Sequence, residues 1–258
     1  MKLETVIYEK EGEVAWIKLN RPQVLNAENY QLCSELIIAL DEARKDLEVK
    51  VVILKGQGRA FCAGADIKEA GIPKTEQQRQ QHRKNAADVG RGMKALGKPI
   101  IAAVHGYALG AGLEYALASD IRIAAENAQF GFPEASIGAP VTTAGLQNLP
   151  QLVGLGRAKE LVFTSRRIDA REAERIGLVN KVVPLEELDK AALELAKEIS
   201  KNSSAAINLM KGVMDHTFES SKETAYFLDS LISQVSLGAT IAGFAAKKEE
   251  ITKKKGGT

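Results

Sequence analysis

Cysteine is scarce: the chain carries only two, Cys33 and Cys62, which show no ligand spacing, and with so few it reads as a reduced, cytosolic chain that does not depend on disulfides. No histidine pattern accompanies Cys62, so nothing marks it as a nucleophile; it reads as a small buried side chain. Neither sign of charge dominates: 35 Lys and Arg oppose 33 Asp and Glu, a net charge of +2 that predicts no affinity for nucleic acid. Long apolar runs are missing too, and none approaches the roughly 18 to 20 residues of a membrane span. The opening Met1-Lys2-Leu3-Glu4-Thr5 has no apolar signal core, and the closing Lys255-Gly256-Gly257-Thr258 is not a peroxisomal tripeptide. A P-loop lysine and a full G-x-G-x-x-G are also lacking, which argues against nucleotide-phosphate binding. These absences lead us to expect a soluble, cytoplasmic protein without a metal or a membrane anchor. At 258 residues the chain buries roughly 75% of its unfolded surface, enough to fold without such staples.

What is present is an alternation of strands and helices. Val6-Ile7-Tyr8 and Val14 to Leu19 read as paired strands joined at Lys10-Glu11-Gly12. Leu32, Leu36, Ile37 and Leu40 recur at helical spacing between Glu28 and about Asp46. Val51 to Leu54 and Ile100 to Val104 are continuous apolar runs, the pattern of strands buried on both faces. Residues 67–82 are polar and contain Gly71 and Pro73, and they read as a mobile loop leading into a helix. Further strands are expected at Ile121 to Ala124 and Leu178 to Val183, with three short helices between about 143 and 176. Everything after Leu185 is helical in pattern, including 186–200, 203–217 and 221–237. The fold class is therefore α/β, with a body at 1–190 and an all-helical region at 191–258; no fixed-period repeat is present.

Two turns nearly free of side chains carry the chemistry. Cys62-Ala63-Gly64-Ala65-Asp66 has small residues at four of five positions, so a ligand can approach its backbone. Gly110-Ala111-Gly112 lies between a buried strand and a short helix, whose first turn offers unpaired N–H groups to an anion. Close helix–strand packing asks for the same glycines. Glu114 follows that turn, and Glu134 closes the strand-like Gln129-Phe130-Gly131-Phe132-Pro133. Either glutamate alone is an ordinary solvated charge. Two carboxyls in one apolar pocket push their titrations apart, which suits one to give a proton and the other to take one.

On four ordered motifs the chain resembles the crotonase (enoyl-CoA hydratase/isomerase) superfamily, from about residue 3 to 250. They are Ala60 to Asp66, Gly106 to Glu114, Ala128 to Glu134, and Ala173-Glu174-Arg175-Ile176-Gly177-Leu178-Val179. The resemblance implies a spiral of ββα units whose C-terminal helices build a homotrimer, often paired into a hexamer. It implies an acyl-CoA thioester as substrate and no cofactor, coenzyme A being part of the substrate. Two backbone N–H groups, mapped to Ala63 and Ala111, would form an oxyanion hole. Glu114 and Glu134 map to the catalytic pair of the hydratases, with Glu114 activating water for Cβ and Glu134 protonating Cα in a syn addition.

The same resemblance places Gly64, Ala65, Asp66, Ile67, Lys68 and Gly110 against the substrate, Asp66 more as a brace for its loop than as a reactant. Phe132 is expected at the acyl pocket, and Phe244 and Lys247 near the nucleotide. The chain departs from the usual hydratase pattern after Glu134: the bulkier Val141, Thr142 and Thr143 replace a glycine-rich turn, which narrows or polarises the acyl pocket. A Δ3–Δ2 enoyl-CoA isomerase using Glu134 as its main base is the nearest enzymatic alternative. An RNA-binding member of the same fold is a distant one, since acidic and apolar residues interrupt the basic residues of 79–98.

Overall fold

The computed structural model describes residues 3–70 and 75–216, together with Thr224, Tyr226 and Lys248; of residues 70, 78, 79, 82, 83, 143 and 144 it describes the backbone alone. The chain forms two compact units, one ending at Asn202 and the other beginning at Ser203. The first unit opens with strands β1 (Val6–Glu11) and β2 (Val14–Leu19), helix α1 (Tyr30–Lys45) and strand β3 (Val51–Gly56). Helices α2 (Ile67–Ala70) and α3 (Glu76–Lys94) follow, then strands β4 (Ile100–Val104) and β5 (Tyr107–Leu109) and helix α4 (Ala111–Ala118). Next come β6 (Ile121–Ala125), β7 (Gln129–Gly131), α5 (Thr143–Val153), α6 (Leu155–Thr164) and β8 (Ile168–Asp169). Helix α7 (Ala170–Arg175), strand β9 (Lys181–Val183) and helix α8 (Leu188–Ser200) complete the unit.

Six strands form one sheet in the order β1-β2-β3-β4-β6-β9, antiparallel at the first pair and parallel from β2 onward. Alternate side chains enter two different cores, as the period of two requires. Ala15, Ile17, Val52, Leu54, Ala102 and Ala124 join the larger core with Leu36 and Leu40 of α1 and Met93 of α3. Trp16, Val51, Ile53, Ile101, Ala103 and Ile123 face the other way, onto Leu188, Ala192 and Ala196 of α8. Burial on both faces is why the central strands read as unbroken apolar runs. Because α8 covers the second face, it lies in the first unit, and the expected boundary at residue 190 falls within that helix.

A second, three-stranded sheet has the order β5-β7-β8, with β5 and β7 parallel. Three-residue strands leave little alternation to read, and β5 and β8 were not expected from the sequence. The polar stretch 67–82, expected as a mobile loop leading into a helix, is helical at Ile67–Ala70 and again from Glu76. Leu178 and Val179 precede strand β9 rather than opening it. Their N–H groups donate to the Ala173 carbonyl of α7 (2.9 and 3.2 Å), so they turn the chain instead of entering the sheet. In the second unit α9 (Ser204–His216) is helical as expected, whereas the helix expected at 221–237 lies outside the described residues.

The segment between β2 and α1 is held by one side chain. Asn26 is fully buried with φ +56°, in the left-handed region that most residues avoid. Its Oδ1 accepts from the Arg21 N–H (2.8 Å), and its Nδ2 donates to the carbonyls of Gln57 (2.9 Å) and Ala60 (2.8 Å). That ties the segment to the approach of the first small-residue turn. Replacing Asn26 by Ala strands the buried Ala60 carbonyl and the half-buried Arg21 N–H and Gln57 carbonyl, and we expect a loss of about 1–3 kcal/mol in urea unfolding. An unchanged midpoint would show that these bonds do not hold the loop.

Candidate active site

Both turns are assembled from backbone contacts. Leu109 N–H donates to the Cys62 carbonyl (3.0 Å), and Cys62 N–H donates to the Tyr107 carbonyl (2.8 Å). A Cβ on Gly112 would lie 2.1 Å from the Cys62 carbonyl oxygen, and one on Gly64 would lie 3.0 Å from the Leu109 oxygen. Glycine is required at both positions for the backbones to approach. The turns at 62–65 and 109–112 therefore form one surface.

The N–H groups of that surface are not equivalent. Ala63 N–H donates to the Leu25 carbonyl (3.0 Å), so it is already engaged. This corrects the expectation that Ala63 supplies an oxyanion donor. The donor left on this turn is Ala65. Glu28 binds the peptide groups on either side of it: Glu28 N–H donates to the Gly64 carbonyl (2.7 Å), and the Glu28 carbonyl accepts from Asp66 N–H (2.8 Å). In a parallel bridge the flanked residue's own N–H points away from the partner strand, and no described residue accepts from Ala65. Ala111 is the first residue of α4, so its N–H has no acceptor within the helix, and no other described residue accepts from it.

The rest of the Ala63–Lys68 segment divides into structural and exposed parts. Asp66 braces the turn, accepting from Arg21 Nη2 (2.9 Å) and from the Lys68 N–H (3.1 Å). Ile67 and Lys68 are exposed. Phe244 and Lys247 lie outside the described residues.

The two carboxyls reach this surface from different elements. Glu114 stands in the first turn of α4, half-buried, and its Oε1 accepts from both the N–H (3.2 Å) and the hydroxyl (2.6 Å) of Thr142. Glu134 arrives through the pairing of β5 and β7: Gly110 N–H donates to the Gly131 carbonyl (3.0 Å), and three residues later Glu134 lies beneath Gly110. Gly110 has φ +51°, which favours glycine, and a Cβ there would sit 2.4 Å from Glu134 Oε1 and displace that carboxyl. Gly145 of α5 leaves room for the other carboxyl in the same way. A Cβ there would be 2.9 Å from Glu114 Oε1, 2.9 Å from Val141 Cγ1 and 3.0 Å from Phe132 Cζ. Phe132 is fully buried and backs the site, and Val141 is buried beside it. The sequence reading missed Gly145, for which no motif flags the role, and the part played by the Leu25 carbonyl.

Glu134 Oε2 is buried and has no hydrogen-bond partner among the described residues. Burial holds the Glu134 carboxyl above the ordinary value of 4.5; a bond from its own backbone N–H opposes this, and the Glu114 charge adds to it. Burial also raises Glu114, with the two Thr142 bonds opposing. Glu114 has two donors from Thr142, whereas Glu134 has only its own backbone N–H and leaves one buried oxygen unpartnered among the described residues, an asymmetry that suits a base and an acid. Among the described residues no group of three His, Cys, Asp or Glu could hold a metal ion, and no helix is long and apolar enough to cross a membrane.

With this geometry, similarity to known proteins becomes informative. The family model described as enoyl-CoA hydratase/isomerase matches residues 9–240. The chain belongs to the enoyl-CoA hydratase/isomerase family. It is 44% identical over 231 residues to a short-chain-enoyl-CoA hydratase of Clostridium acetobutylicum, covering 89% of this chain and 88% of that one. It is 38% identical to a crotonyl-CoA hydratase of Syntrophomonas wolfei over the same shares of the two chains. The crystal structure of an enoyl-CoA hydratase from Bacillus anthracis superposes with a TM-score of 0.90 at 36% identity, covering 95% of this chain and 96% of that one. The fold is thus the crotonase fold that the four motifs implied.

The raised Glu134 carboxyl makes a stability prediction whose sign follows from proton linkage. Below the ordinary value both folded and unfolded chains hold the proton. As pH rises through the raised folded value, the fold must bury a charge and loses stability. The Tm of Glu134→Gln relative to the unsubstituted protein should therefore improve from about pH 4 to about pH 8. A difference that is constant or shrinks with pH would contradict the burial of this carboxyl.

Proposed function

We propose that the protein is an enoyl-CoA hydratase, adding water reversibly across the 2,3 double bond of a 2-enoyl-CoA to give a 3-hydroxyacyl-CoA. The observation that carries this reading is the convergence of Glu114 and Glu134 on the glycine turn that also bears the free N–H of Ala111. The activities for which the relatives are named support it.

In this mechanism the thioester oxygen accepts hydrogen bonds from the N–H groups of Ala65 and Ala111. As electron density moves onto that oxygen, both bonds strengthen; losing one such donor typically costs about 10²–10³ in rate. Glu114, ionised and held by Thr142, takes a proton from water as the water oxygen bonds to Cβ. The double-bond electrons pass to Cα and the carbonyl, giving an enolate. Glu134, protonated, then delivers its proton to Cα. The atoms of one water have been added, and transfer of the proton from Glu114 back to Glu134 through solvent resets the pair. Both carboxyls work from one side of the clamped enoyl plane, so the addition is syn.

Lys68 is a candidate contact for the phosphates of coenzyme A, and Val141 with Thr142 restricts the space beside Cβ. The family resemblance further suggests a trimer, alone or paired into a hexamer, working in the cytoplasm.

Loss of the conjugated enoyl-thioester absorbance of crotonyl-CoA tests the reading. The wild-type protein should remove it rapidly, and Glu114→Gln and Glu134→Gln should each slow it by about 10²–10⁴-fold. If a 3-enoyl-CoA is converted to its 2-enoyl isomer while neither isomer yields a hydroxyacyl product, the protein is an isomerase and the hydratase reading is wrong.

A further inference from the structure

Glu28 takes no part in the proton chemistry above, yet the residue is only 6% exposed. A carboxyl in such a place is costly unless it is hydrogen-bonded. Its Oε2 accepts the hydroxyl of Tyr115, which also lies 3.7 Å from Cys33 Sγ. Tyr115 is itself buried and immediately follows Glu114 on α4. The main chain of Glu28 meanwhile grips both peptide neighbours of Ala65. One residue is thus fastened by its backbone to the turn bearing the first free N–H. Its side chain is fastened to the helix bearing the second free N–H and Glu114.

We propose that Glu28 is a positioning residue: through its bond to Tyr115 it fixes the separation between the Ala65 and Ala111 N–H groups, so that both reach one thioester oxygen. The proposal rests on the hydratase reading only in requiring a thioester carbonyl as the occupant. Burial holds the Glu28 carboxyl above the ordinary range, and the Glu114 charge adds to this, the Tyr115 bond opposing. A neutral Glu28 retains an acceptor oxygen, so Glu28→Gln should preserve the link.

A purely structural role and a positioning role are separated by removing both partners together. Replacing a buried polar pair by apolar groups of similar shape is often neutral or stabilising. The double variant Glu28→Leu/Tyr115→Phe should therefore keep or exceed the wild-type Tm. Its kcat for crotonyl-CoA should nevertheless fall about tenfold with KM changed by less than about threefold, because donors slightly out of place cost rate more than binding. A direct readout is the absorption of a bound conjugated dienoyl-CoA, which moves to longer wavelength when its carbonyl is polarised. The shift should be reduced in the double variant and in Tyr115→Phe, and retained with kcat in Glu28→Gln. Wild-type kcat and a full shift in either the double variant or Tyr115→Phe would overturn the proposal. A wild-type protein that shows the shift but no hydration would instead fail the hydratase reading alone, and one that shows no shift would count against both.

Discussion

The Cys62 carbonyl approaches Gly112 so closely that a methyl group there would meet its oxygen at 2.1 Å, and the rest of the site depends on that approach. It joins two turns that are separated in sequence by nearly fifty residues, and the Leu109 to Cys62 bond locks them together. With the turns joined, Ala65 and Ala111 become the edge of one surface, and both retain a donor that no described residue uses. These donors belong to the main chain, so they are oriented before substrate arrives and need no side chain to be frozen. Arg122 secures the far end of the same helix, its guanidinium donating to the carbonyls of Leu178, Ala116 and Ser119.

Around that surface the fold places three carboxyls in partly dry surroundings and treats each differently. Glu114 receives two donors from Thr142, Glu28 receives the Tyr115 hydroxyl, and Glu134 keeps one buried oxygen without a partner among the described residues. Burial raises all three. The difference in donors decides which one is best suited to hold a proton, and it singles out Glu134. That division of labour is set by neighbouring residues, so a single substitution at Thr142 would alter it without touching either glutamate.

Much of this was legible in the chain. The runs Val51 to Leu54 and Ile100 to Val104 announced central strands because they are buried on both faces, and the four motifs carried the family and the glutamate pair. What escaped had physical reasons. Glu76 to Asn85 is helical but almost wholly polar, so it offers no apolar stripe until Ala86, Val89 and Met93 reach the core. Strands of two or three residues, such as Ile168–Asp169, are too short to alternate. In the small-residue run at 62–66 nothing local reveals which amide is already bonded. The acceptor that removes Ala63 from the site is Leu25, which lies 38 positions upstream and is brought there by the fold.

The central claim is that Glu114 and Glu134 add the elements of water to one face of a thioester held by Ala65 and Ala111. Its most direct test is to hydrate crotonyl-CoA in heavy water and determine the configuration at C2 and C3 by NMR. The account predicts one diastereomer, with a single deuterium at C2 placed syn to the new C3 oxygen. An anti product, or a mixture at C2, would contradict it.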